Sequence, residues 1–241
     1  MSEAAAATDD PGLIHRLLER LGVHFSSGVY ADEAAAARAE YFTATGELHE
    51  EDRDLFEPRM EAFLEWYVLE RPLPTGRTPV AGYLDNDAQA APTDEREALA
   101  RLCRTRRSLF TISKVKDGKI TLEDLASKER LVAHERRGTV GFTAKDLCEA
   151  RLCPSDDGWV FTKTLLFHPR DASKAILAGV KEALKNQQPL GDLAFRLARL
   201  HQRWHRLGHA AADRIYRDGL ARDTLTQTPA VRGKSLKKPG S

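Results

Sequence analysis

The stretch SLFTISKVKDGKITLEDL, residues 108–125, decides how this chain is built. Apolar and polar side chains alternate on both sides of Asp117-Gly118, the period of a half-buried strand. The Asp-Gly pair is the dipeptide that tolerates positive φ in a two-residue hairpin. The stretch therefore predicts a strand, a tight turn and a second strand. ERLVAHE (129–135) continues as a third. A polar loop with Gly138 and Gly141 follows, then DLCEARLCP (146–154), a turn at Asp156-Asp157-Gly158, and WVFTKTLLFHP (159–169). Five short strands of this kind predict a small antiparallel β-barrel, SH3- or OB-like, over residues 107–170.

Upstream of the barrel the period changes to that of helices. In GLIHRLLERLG (12–22), Leu13, Ile14, Leu17, Leu18 and Leu21 share one face. An Ala-rich segment over 31–44 stops at Gly46. A third helix carries Phe56, Met60, Phe63, Leu64 and Tyr67 at helical spacing, with Pro58 near its first turn, and ends at Arg71-Pro72. A short helix fits 79–86, and TDEREALARLCRTR (93–106) is a stronger one, with acids first and arginines last as the macrodipole favours. Downstream, DASKAILAGVKEALKN and a long segment over 192–219 predict a C-terminal helical pair. In the second of these, Leu193, Leu197, Leu200, Trp204, Leu207 and Ala211 form a heptad-like seam. The fold class is thus α+β: a lead over 1–11 without structure, an acidic helical domain over 12–106, the barrel, basic helices over 171–219, and a disordered basic tail over 220–241.

Charge is distributed unevenly. Residues 1–97 hold 21 acidic and 8 basic side chains, a net of −13, and the remainder hold 15 and 29, a net of +14. Such a split speaks of fields and partners, not of fold. Either the two halves attract one another, within the chain or an oligomer, or each meets a partner of its own.

No stretch is long and apolar enough to span a membrane, and the acidic MSEAAAATDDPG start lacks the apolar core of a secretory signal. Three cysteines, Cys103, Cys148 and Cys153, form no C-x-x-C pair. Cys148 and Cys153 fall on opposite faces of one strand. Both points suit a reducing cytoplasm and thiols that act as small apolar groups.

Catalytic motifs are missing: no G-x-G-x-x-G, Walker A or G-x-S-x-G occurs, and no carboxylate pair is singled out by spacing. The expectation is no enzyme, no cofactor and no metal. His201, His205 and His209 recur four apart on one helix, the spacing of a chelating pair, but the glutamate of H-E-x-x-H is absent and Arg199, Arg203 and Arg206 would oppose a cation. Two kinds of partner remain. Trp66, which lies off the apolar stripe of its helix, and Tyr67 are candidate anchors for a protein partner, with core packing as the other reading; Arg199, Arg203 and Arg206 are a candidate basic docking surface. Alternatively the barrel binds nucleic acid through Lys114, Lys116, Lys119, Arg136 and Arg137, with Phe110, Phe142, Trp159 and Phe161 as stacking groups, although alternation makes Phe110 and Phe161 core residues.

The segment EYFTATGELHEEDRDLFEPRMEAFLEWYVLERPL, residues 40–73, with the barrel that follows it, resembles a set of uncharacterised bacterial proteins of the myxobacterial type. The resemblance rests on Tyr41, Phe42, Gly46, Glu47, Asp52, Phe56, Arg59, Met60, Phe63, Glu65, Trp66, Tyr67, Arg71 and Pro72. More distantly, the profile resembles the RomY-like polarity regulators, which act with a Ras-like GTPase and its activating protein. That resemblance implies a non-catalytic regulator or adaptor that stimulates GTP hydrolysis in cell polarity.

Overall fold

The computed structural model describes residues 11–49, 52–135, 140–208 and 210–226. Residues 1–10 of the predicted 1–11 lead, Arg136, Arg137, Gly138, His209 and the tail from 227 lie outside them; Pro11, the last residue of that lead, opens a helix. Asp117 and Gly118 take φ of 50° and 73°, the double positive φ of a type I′ turn. They join β1 (Arg106–Lys116) to β2 (Lys119–Asp124). With β3 (Arg130–His134), β4 (Leu147–Ser155) and β5 (Gly158–Phe167) these close a barrel in the order β1-β2-β3-β5-β4. That is the Greek-key order of the OB-type barrel, not an SH3 meander.

The predicted antiparallel pairing holds at four seams; the fifth, β3 with β5, is parallel through Ala133↔Trp159 and His134↔Val160. Parity requires it, because a closed ring with an odd number of strands cannot alternate direction at every seam. Gly158 makes this seam possible. Its φ is 133°, and a Cβ there would stand 2.8 Å from the Val132 carbonyl oxygen of β3. The interior is filled by side chains such as Phe110, Ile112, Ile120, Leu122, Cys148, Leu152 and Phe161.

Among the described residues five α-helices precede the barrel: α1 (Pro11–Phe25), α2 (Ala31–Thr45), α3 (Arg53–Leu69), α4 (Pro79–Asn86) and α5 (Thr93–Leu102). Leu17, Leu21, Phe25, Ala37, Tyr67 and Leu99 lie in their shared core, which also takes in Cys153 and Val160 of the barrel. α1 and α3 pack on β5, and α5 packs on β4. Because α5 ends at Leu102, Arg106 and Arg107 start β1 and do not complement a helix dipole. Pro58 lies in the body of α3, not in its first turn.

The expected C-terminal pair is three helices: α6 (Ser173–Lys185), α7 (Leu190–Arg206) and α8 (Ala212–Thr226). Gly208, with φ of 63°, terminates α7, and its N–H closes on the His205 carbonyl at 3.1 Å. Ala212, Ile215 and Tyr216 then fold back on Ile176, Leu193 and Leu197. The heptad-like seam is therefore packing within the chain. Leu207, its next member, falls beyond the helix and is exposed. Residues 220–226, expected in the tail, continue α8. Among the described residues no helix is long and apolar enough to cross a membrane.

Candidate functional site

The barrel has two unlike sides. β4 is buried on both faces. Cys148, Ala150 and Leu152 fill the barrel, while Cys153 joins the helical core. Glu149 and Arg151 alternate with the inward set and are buried under the helices. Burial at the Cys148 thiol pushes its pKa up to about 12, so it stays a neutral apolar group.

Arg151 is only 1 % exposed. Its guanidinium lies 3.3 Å from Glu65 Oε2, pairs with Glu70, and donates to Thr105 Oγ1 at 3.3 Å. Glu65, from α3, also accepts from the Thr162 hydroxyl and the Lys163 N–H, both at 2.8 Å, and from the Thr164 hydroxyl. One strand over, Arg107 gives both Nε and Nη2 to a single oxygen, Glu149 Oε1, at 2.6 Å, and its plane sits 4.7 Å over the Phe195 ring of α7. Buried charges persist only when paired and hydrogen-bonded in this way.

The acidic and basic parts of the chain thus meet each other. Lys163 reaches Glu19 and Glu61 at 2.8 and 2.9 Å. Arg206 and Gln202 of α7 hold Asp52 at the start of α3, with Nε–Oδ1 and Nε2–Oδ2 distances of 2.8 and 2.9 Å. Arg206 is the main reason that the Asp52 carboxyl is held well below the usual carboxylate range.

These contacts reassign most of the predicted site. Trp66 is 8 % exposed and packs against Tyr41 and Phe195, at centroid distances of 5.3 and 6.0 Å. Tyr67 is fully buried, and its hydroxyl donates to the Phe25 carbonyl at 3.1 Å. Both are core residues, because the C-terminal half of α3 packs against helices on one side and β5 on the other, so a residue off the stripe meets protein too. Arg199 donates to the Thr43 carbonyl and Arg206 to Asp52 and the Glu47 carbonyl, so both tie α7 to the N-terminal helices; Arg203 is exposed. His201 packs on Trp204 and His168, and among the described residues no group of His, Cys, Asp or Glu could hold a metal ion.

Between α3, α5, the start of β1 and the first turn of α7 lies a cleft of about 310 Å³, lined by Glu70, Cys103, Thr105, Arg107 and Arg151 among others. Its charged groups are paired with one another. Burial, and then Asp85, raise the Cys103 thiol, which makes it a poor nucleophile. The cleft is part of the structural network.

The other side of the barrel is open. Among the described residues the principal helix contacts fall on β1, β4 and β5, none on β2 or β3. Lys114 and Lys116 at the end of β1 and Lys119 at the start of β2 are exposed, and with Thr121, Val132 and Asp117, whose carboxylate lies 3.7 Å from Lys116 Nζ, they line a shallow groove of about 430 Å³. Strands 2 and 3 with the β1–β2 loop are where OB-type barrels take ligands. Phe110 and Phe161 point into the barrel, and Phe142 and Trp159 are half-buried against its core. The groove is therefore cationic and without a stacking platform.

Fold and site together define a helix-clad OB-type barrel with one bare, basic face. The chain belongs to a family of unknown function (DUF7986), whose model matches residues 42–202. That segment runs from the end of α2 through the barrel to Gln202 of α7, and it contains both the buried network and the open face. No curated protein and no solved structure matches the chain.

Proposed function

We propose that this chain is a non-catalytic binding protein of the cytoplasm, a regulator or adaptor that presents the lysine-lined face of β1, β2 and β3 to an acidic surface of a protein partner. One observation carries the reading: Arg107, Arg151, Lys163 and Arg206 are paired with carboxylates of distant elements, whereas Lys114, Lys116 and Lys119 are exposed together, with only the neighbouring Asp117 against Lys116, on a face where no described helix makes a principal contact. Charge complementarity at such a face sets on-rate and partner choice. The more distant resemblance of the general profile to the polarity regulators suggests the partner class: a small Ras-like GTPase with its activating protein, whose GTP hydrolysis the chain stimulates. The OB-type strand order with three lysines favours a second reading, nucleic-acid binding by backbone contact alone.

The test is purification of the native complex from cells with and without nuclease, using the intact chain and a Lys114→Glu/Lys119→Glu variant. The expected result is defined proteins that survive nuclease and are lost with charge reversal, together with faster GTP hydrolysis when the purified chain is added to the GTPase and its activator. If all bound material leaves with nuclease, the nucleic-acid reading replaces this one.

A further inference from the structure

Of the large apolar side chains that are exposed among the described residues, two share one helix: Leu177 and Leu184 of α6, 45 % and 40 % exposed. Single exposed apolar residues are ordinary, so an aligned pair is the informative case. Their spacing is about two helical turns, so the two side chains stand one above the other, about 10 Å apart along the axis. The buried face of α6, Ile176, Val180 and Ala183, packs on α7 and α8. The leucines border that face on its outer side. At about 100° per residue, Lys181, Lys174 and Lys185 come next around the helix, and all three are exposed. No ion pair among the described residues engages them. Glu182, the one acidic residue of α6, lies beyond the lysines, and Asp171 stands before the first turn. The outer face of α6 is thus an apolar ridge with a cationic ridge beside it.

We propose that this face docks on the surface of an anionic lipid bilayer, with Leu177 and Leu184 entering the headgroup layer and Lys174, Lys181 and Lys185 meeting the lipid phosphates and carboxylates. Charge selects anionic lipid, because three lysines share this arc of the helix with no acid between them. Shape selects a bilayer. The face is the convex side of one helix, and a bilayer needs no matching concavity. It also lets the lysine stems lie along its apolar boundary while the ammonium groups stay wet. Binding of such a face scales with buried apolar area plus attraction to anionic lipid. The chain adds to the second term, since residues 227–241, which follow α8, hold four basic and no acidic side chains. α8 itself packs on α6, with Leu220 against Gly179. The face is separate from the lysines of the barrel, so either assignment can fail without the other.

Full-length protein is mixed with vesicles of phosphatidylcholine alone and of phosphatidylcholine with phosphatidylserine, and bound protein is read by co-sedimentation. Partition onto the phosphatidylserine vesicles is expected to exceed that onto phosphatidylcholine at least about tenfold and to fall as salt is raised. Leu177→Gln/Leu184→Gln keeps every charge and changes two exposed side chains. It is expected to keep the parent's circular dichroism spectrum and to lose at least about tenfold in partition. Lys174→Gln/Lys181→Gln/Lys185→Gln is expected to lose about fivefold per lysine. Lys114→Glu/Lys119→Glu is expected to lose less than the leucine variant. Equal binding to the two vesicles overturns the proposal, as does full binding by the leucine variant, which would assign the attraction to charge elsewhere on the chain. No binding to either vesicle also overturns it, and loss of a captured protein from the leucine variant would then assign the face to a protein partner.

Discussion

The covered and bare sides of the barrel use the same kinds of residue to opposite ends. On β4 and the start of β1, arginines and glutamates alternate with apolar residues and are sealed beneath α3, α5 and α7. On the far end of β1 and on β2, lysines alternate with apolar residues and stand in water. The inward-facing set is alike in both, since it fills one barrel. What differs is the layer above. Under helices, each charge has a fixed partner and specifies how the helices dock. In water, the lysines keep their hydration, with only Lys116 near a carboxylate, that of Asp117, and remain available to something outside.

Removing a partner from the covered side breaks this contrast most severely. Arg151→Ala leaves Glu65 without its guanidinium and Glu70 with only that of Arg107, 3.6 Å away, and the expected destabilisation is about 3–5 kcal/mol, read from the urea midpoint. Arg151→Met, which also removes the charge but keeps the volume, is expected to be nearly as harmful, because the stranded carboxylates carry the loss.

Acid acts on the covered side next. His168, at the end of β5, is buried against Tyr216 of α8, with Nδ1 3.2 Å from the hydroxyl oxygen, and burial lowers its pKa to about 4. The unfolded chain takes up the proton first, near pH 6.5, so stability is full above that pH and falls as pH drops toward 4. The loss is about 3 kcal/mol across the window. Urea unfolding at successive pH values measures it, and His168→Gln is expected to flatten that slope. Asp52 adds a later loss: Arg206 depresses its pKa, so its contribution is full above about pH 4 and disappears as pH falls further.

Gly158 lies on the border between the two sides. Gly158→Ala sets a Cβ against the Val132 carbonyl at a backbone angle that L-residues rarely adopt, and a loss of about 2 kcal/mol is expected by thermal unfolding. A neutral result would mean that the β3–β5 seam is dispensable to closure. The bare side gives the smallest effect on stability. Lys114→Glu/Lys119→Glu is expected to change it by no more than about 0.5 kcal/mol per site, while abolishing capture of the partner. A large loss of stability there would mean that this face is covered after all.

Much of the architecture was legible in local pattern. Asp117-Gly118 announces its hairpin because few dipeptides accept two positive φ values, and the 3.6-residue period of α1 and α3 appears directly in their leucines and aromatics. The parallel seam was within reach as well: five strands and closure suffice to require it. Gly208, read as part of a continuous helix, was the stop that turned two C-terminal helices into three. The sites were less legible. Trp66 and Tyr67 carry the residue types of binding anchors, yet core and interface draw on the same aromatics, and only what packs on α3 distinguishes them. Glu65, Arg107, Glu149 and Arg151 gave no signal, because a charged position alternating on a strand reads the same whether water or a helix lies above it.

By itself the sequence determined most of the secondary structure, the α+β class and the opposition of charge between its two parts, since periodicity, turn chemistry and composition are properties of neighbouring residues. Tertiary structure alone decided which charges are paired and which stand free, which aromatics are core, and which leucines of α6 stand in water. Those are properties of residues distant in sequence, and burial, on which the energy of a charge depends most, exists only once the layers have closed.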